Sequence, residues 1–191
     1  ILLLLCLGLP LCQAAGRTGA AVTAHPIATK AAMNAFERGG NAVDATVAAA
    51  LALGVVDGFN SGIGGGCFML IRKPNGSFVA IDGRETAPLK ADRDMYLRDG
   101  KAKPELSRTG ALAIGVPGAL AAYDLAIRQH GNIDLAEPLG QAATVAEQGF
   151  ALDDAYLSRL GQVVKKLRKF PGSASIFLNA EGNAWPSGHR L

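Results

Sequence analysis

The 191-residue chain is short of the residue types that usually announce a reaction. It holds three cysteines and three histidines, and none is arranged as CxxC, HxxxH or HExxH, so the sequence offers no ligand set for a metal centre and no cofactor is expected. Aromatic residues are few, seven Phe, three Tyr and one Trp, and a core must therefore come mostly from Ala, Val, Leu and Ile. Charged residues make up 18% of the chain, with 19 basic against 16 acidic and a net charge of +3. No stripe of Lys and Arg interleaved with aromatics occurs, which excludes a nucleic-acid footprint. The run Lys165, Lys166, Arg168 and Lys169 reads as a solvated helix end, where cations favour the dipole. A chain that is 49% hydrophobic and this poor in charge is no disordered tail and is long enough for a sizeable core. Glycine, at 24 residues, stands against these shortages and predicts backbones that approach one another closely.

The first charge is Arg17, and Ile1 to Leu11 is an apolar run relieved by Gly8 and Pro10. With small residues before the bond after Ala14, residues 1–14 read as a secretory signal peptide, too short to span a bilayer alone. The absence of a basic segment before it predicts that a further piece precedes Ile1, which leaves a retained anchor open. Leu11 before Cys12 argues against a lipoprotein junction. The expected location is extracytoplasmic, periplasmic or secreted. Cys6 and Cys12 fall in this leader, so Cys67 is the lone cysteine of the expected mature chain. Amid Phe68, Met69, Leu70 and Ile71 it reads as a buried structural thiol rather than a nucleophile.

Beyond the leader, the patterning predicts an α+β chain. Residues 21–23 suggest an extended segment, and Pro26 opens a helix that Gly39 and Gly40 end. Asn41 caps the next helix, with Asp44 in its first turn, and the stretch from Ala45 to Val56 carries no charge, so that helix should be central and buried. Two strands, 67–72 and 77–82, flank Lys73-Pro74-Asn75-Gly76, a hairpin signal. Residues 92–110 predict a short helix and a loop. Helices follow from about 118 to 129, 134 to 148 and 153 to 169, then a strand over 175–178 and a loop from 182 to 191.

Two features could carry function. Ser61-Gly62-Ile63-Gly64-Gly65-Gly66 runs from helix to strand, the wrong order for a dinucleotide loop, and lacks GK[ST]. Its backbone passes close either to another backbone or to a ligand. Arg84, in Asp82-Gly83-Arg84-Glu85, offers a planar fork that suits a carboxylate, or pairs internally with Asp82 or Glu85.

Ala24-His25-Pro26-Ile27-Ala28-Thr29, Gly39-Gly40-Asn41-Ala42-Val43-Asp44-Ala45, Ser61 to Gly66 before Phe68-Met69-Leu70, Arg84-Glu85-Thr86-Ala87-Pro88 and Gly115-Val116-Pro117-Gly118 together resemble the N-terminal part of gamma-glutamyltransferases. Five motifs in order over residues 21–191 make the resemblance specific. Asp57 to Asn60 departs from a stretch that usually holds Glu-Pro in the family, and Cys67 stands where Gly or Asn is common. The resemblance implies an N-terminal-nucleophile hydrolase fold, an αββα sandwich of which residues 15–191 are a partial segment of the large subunit, incomplete at the C-terminus. It also implies self-cleavage into two subunits and a threonine nucleophile at the start of the small one. That threonine attacks the gamma-glutamyl amide of glutathione or a related compound and passes the glutamyl group to water or an amino acid. The arginine that grips the donor's α-carboxylate falls on Arg84. None of the threonines here lies in the processing motif, so the nucleophile is expected beyond residue 191 and the piece alone is expected to be inert. Two further readings remain: an acylase of the same superfamily acting on glutaryl amides of beta-lactams, and a catalytically inactive secreted homologue.

Overall fold

Asn41 is extended and its side-chain oxygen accepts from Val43 N (2.7 Å), while the carboxylate of Asp44 accepts from Asn41 N (2.7 Å). This reciprocal cap starts a helix, Ala42–Val56, whose remaining side chains are almost all apolar. In a computed structural model that describes residues 19–191, this helix is the hub of the chain. The expected leader, residues 1–14, lies outside the described residues. Pro26–Glu37 (α1) precedes the hub helix (α2), its N-terminus capped by His25 Nδ1, which accepts from Ile27 N at 3.1 Å. Alanines of both helices interlock at Ala28, Ala32, Ala35, Ala45, Ala48 and Ala52, the small-residue packing that the composition implies.

The other face of α2 meets a hairpin and a helix. Cys67–Arg72 (β1) and Phe78–Gly83 (β2) pair antiparallel, with Met69 opposite Ile81. Gly76, at φ +84°, closes the connecting turn by donating to Lys73 O (2.9 Å). Met69 and Ile81 pack with Val43, Val47 and Leu51 of α2 and with Ala122, Tyr123 and Ile127 of Ala119–His130 (α3). The opposite face of the hairpin stays open, with Phe68 and Leu70 72% and 69% exposed. Ala136–Gln148 (α4) packs on α2, and Asp154–Leu167 (α5) follows. Tyr156 and Leu160 of α5 join Val56, Phe150, Leu152 and Leu178 in a third cluster.

The uncharged helix is central, as expected, and the mixture of helices and hairpin matches the α+β class. Two local expectations are corrected. Residues 175–178 are no strand: Pro171–Phe177 (α6) is a helix opened by Pro171, and the short apolar window fits either period. Leu178 then makes a single bridge to Ala184. Residues 92–110 form turns, a hairpin of Leu97–Arg98 (β3) with Lys101–Ala102 (β4), and a 3-10 turn over Pro104–Ser107. Asp99 (φ 52°) and Gly100 (φ 70°) make that hairpin's two-residue connection, a signal missed among polar neighbours. Residues 182–191 fold back: Phe150 and Leu191 exchange N–H···O bonds of 3.1 and 3.0 Å. Residues 21–23 pair with no strand.

Candidate functional site

The glycine loop leaves α2 and crosses beneath the end of β2. Gly65 O accepts from the N–H groups of both Gly118 and Ala119 (3.1 Å each), so the loop is held against the positive end of α3. Thr86 and Val116 exchange backbone bonds of 3.2 and 2.8 Å on the far side. Three chain segments thus meet with no room for side chains. A Cβ at Gly66 would lie 2.6 Å from Glu85 Oε2 and 2.7 Å from Gly83 O; one at Gly118 would lie 2.5 Å from Gly83 O. Backbone packing therefore accounts for Gly66 and Gly118. Gly64 meets nothing within 4 Å, and residues 62–66 also line a cavity of about 860 Å³.

Arg84 stands in the wall of that cavity, immediately after β2. The two internal partners considered for it take little of its fork. Asp82 Oδ1 binds the backbone N–H of Arg84 (2.9 Å), not its guanidinium. Glu85 Oε2 approaches Nη1 at 3.3 Å without the alignment of a hydrogen bond, and that oxygen is buried with no hydrogen-bond partner among the described residues. The Arg84 side chain remains 67% exposed. A guanidinium with most of its donors free, fixed at the end of a strand and facing a cavity, is equipped to take a carboxylate in bidentate fashion. Glu85, read from the sequence only as an ion-pair partner, brings a carboxylate to the same wall.

Cys67 also lines the cavity and is half-buried rather than buried. Its thiol pKa is pushed up, chiefly by desolvation and further by the charge of Asp82, with a hydrogen bond to Tyr123 pulling the other way. The thiol stays protonated at neutral pH and is no nucleophile there. Tyr123 is raised in turn, by burial first and by Cys67 second. No threonine lines the cavity among the described residues. Ser61 does, and its hydroxyl reaches only Asp57 Oδ2, at 3.4 Å, with no histidine behind the pair. No group of three or more metal-ligating side chains gathers among the described residues, and no described helix is long and apolar enough to cross a membrane.

Residues 28–191 match the family model for gamma-glutamyltranspeptidase. A glutathione hydrolase proenzyme of a Pseudomonas species (strain A14) is 38% identical over 175 residues, 91% of this chain and 30% of the relative. An acylase, the ACY 1 proenzyme of Pseudomonas strain V22, is 39% identical over 172 residues, 86% of this chain and 31% of that protein. The crystal structure of Helicobacter pylori gamma-glutamyltranspeptidase superposes with a TM-score of 0.87 at 36% identity, covering 91% of this chain and 50% of that one. The chain thus spans about a third or less of these curated relatives and half of the solved chain. With the family model matched over residues 28–191, the chain belongs to the gamma-glutamyltranspeptidase family.

Proposed function

We propose that this chain supplies the donor-binding wall of a secreted enzyme that cleaves gamma-glutamyl amides, glutathione among them, and passes the glutamyl group to water or an amino acid. The observation that carries the reading is the Arg84 guanidinium, two-thirds exposed beside a cavity of about 860 Å³ and unclaimed by Asp82. Arg84 takes the donor's α-carboxylate, and the contact contributes about 1.5–3 kcal/mol once desolvated. This is binding and orientation. The chemistry falls to a threonine beyond residue 191, exposed by self-cleavage of a precursor and carried by a small subunit that completes the site. The hairpin supports the αββα reading: Phe68, Leu70 and Phe78 lie on its open face, and a two-stranded sheet with such a face is marginal until another layer covers it.

Replacing Arg84 with Lys in the full-length protein keeps the charge and loses the fork. KM for glutathione should rise about tenfold or more with a smaller change in kcat; an unchanged KM refutes the assignment. The acylase relative at 39% identity favours one second reading, a donor with a glutaryl rather than a glutamyl group. Comparing turnover of gamma-glutamyl and glutaryl anilides by the full-length protein separates the two.

A further inference from the structure

The Arg84 cavity does not end at the glycine loop. Phe59, Tyr156 and Phe177 also line a second cavity of about 390 Å³, which lies along α5 beside Leu160, Val163 and Leu167. This annex is apolar and open: Phe59 and Val163 are each more than a third exposed. Its rings are ordered against one another, Phe59 standing edge-on to Tyr156 at 5.5 Å and Phe150 likewise at 5.8 Å.

Two polar groups in this annex lack partners. Tyr156 is 7% exposed and lines both cavities, yet its hydroxyl makes no hydrogen bond among the described residues. That oxygen is not one of the buried unpaired polar atoms, so the hydroxyl faces open space and is a ready donor to whatever enters. Burial pushes the phenol's pKa up, so it stays a donor across the physiological range. Arg159, one turn along α5, lines the annex and forms no ion pair among the described residues. Each of the two cavities has an arginine in its lining, Arg84 in one and Arg159 in the other, and the Phe59, Phe177 and Tyr156 rings belong to both.

We propose that this annex is a specificity subsite for the amine half of the donor, and that it selects gamma-glutamyl dipeptides whose second residue is aromatic or bulky and apolar. The inference rests on the donor-binding reading of Arg84. With the glutamyl α-carboxylate on Arg84, the apolar side chain of the second residue lies among Phe59, Phe177 and Val163, and its terminal carboxylate reaches the Tyr156 hydroxyl and Arg159. Hydrolysis breaks the amide C–N bond, adds the oxygen of water to the glutamyl carbonyl carbon, and releases the second residue as a free amino acid carrying the transferred proton.

The test uses the full-length protein and compares kcat/KM for gamma-glutamyl-phenylalanine, its C-terminal amide, and gamma-glutamyl-glycine. Burial of the benzyl group predicts a preference for phenylalanine over glycine of about tenfold or more. Phe177→Ala should bring that ratio close to one. Arg159→Gln, at an exposed position where folding is not at risk, should remove an about tenfold preference for the acid over the amide. Equal kcat/KM for phenylalanine and glycine donors in the parent protein overturns the proposal. So does a ratio that survives Phe177→Ala together with an acid-over-amide preference that survives Arg159→Gln. Cleavage of none of the three donors refutes instead the donor-binding reading, and this proposal with it.

Discussion

Asp44 is wholly buried, and its carboxylate joins two backbone segments through three N–H groups. Oδ2 accepts from Asn41 N at 2.7 Å; Asn132 N donates to Oδ1 and Oδ2 at 3.1 and 3.0 Å; Ile133 N donates to Oδ1 at 3.3 Å. Asn41 closes the circle, its Nδ2 donating to His130 O at 2.7 Å. One anion thus ties the start of α2 to the link between α3 and α4. Asp44→Ala removes the acceptor from all three N–H groups. A hydrogen bond to a charged group contributes about 1.5–3 kcal/mol, and allowing for overlap among three the loss is about 3–5 kcal/mol. Asp44→Asn retains the shape but turns an NH2 towards backbone donors, and should recover less than half of that. Hydrogen exchange in the full-length protein reads the loss locally. Protection of the Asn41 and Ile133 amides should fall by about two to four orders of magnitude in Asp44→Ala, while Thr46→Ala, at an exposed position of the same helix, should leave it unchanged. Unaltered protection in Asp44→Ala would refute the assigned role.

The glycine seam makes a paired prediction. Gly66→Ala places a methyl 2.6–2.7 Å from Glu85 Oε2 and Gly83 O and should destabilise the full-length protein by about 1–3 kcal/mol in thermal melts, whereas Gly64→Ala, with nothing within 4 Å, should cost less than about 0.5 kcal/mol. Equal melting temperatures for the two variants would contradict the close approach. The Cys67 thiol is raised above its ordinary value of 9.0, so its contribution to stability is complete below that pH and is lost as pH rises towards the folded-state value. The melting temperature of the parent protein should therefore fall faster above pH 9 than that of Cys67→Ser, and iodoacetamide should label Cys67 slowly at pH 7; rapid labelling at neutral pH would overturn the protonated-thiol assignment.

The extent to which this architecture could be read from the chain varies with the length and chemistry of each signal. The uncharged run 45–56 identifies a central helix because a helix apolar on every face has nowhere to go but the interior. Asn75-Gly76 sets its hairpin because few residues other than glycine take φ +84° without strain. Asp99-Gly100 carries the same information, but its strands are two residues long and lack an apolar alternation to frame it. Over 175–178 four residues cannot distinguish a period of 2 from one of 3.6, and Pro171, the decisive residue, lies outside that window. Asp44 was legible as a first-turn acid but not as the acceptor for Asn132 and Ile133, because those donors lie 88 and 89 residues away in sequence. The annex along α5 was illegible for a related reason: Phe59, Tyr156 and Phe177 are spread over three segments, and each looks like ordinary core until the fold leaves a cavity between them.

The placement of Arg84 shows why glycines rather than polar residues were the stronger sequence signal at this site. An arginine has four side-chain torsions, and a binding fork is useful only where the backbone that carries it is fixed. Here the fixing comes from main chain on main chain: Asp82 holds the Arg84 N–H, Thr86 is bridged to Val116, and Gly65 O takes two N–H groups from the start of α3. Gly66, Gly83 and Gly118 let these segments close to distances that a Cβ would forbid. A Cβ at any of these three positions forces its neighbours to shift, whereas an exposed arginine can be carried by any loop. The order of dependence is therefore reversed from the order of chemistry. The glycines set the backbone and the backbone sets Arg84, so if Arg84 holds the donor as proposed, a substitution at Gly118, which does not line the cavity, should raise KM for glutathione in the full-length protein.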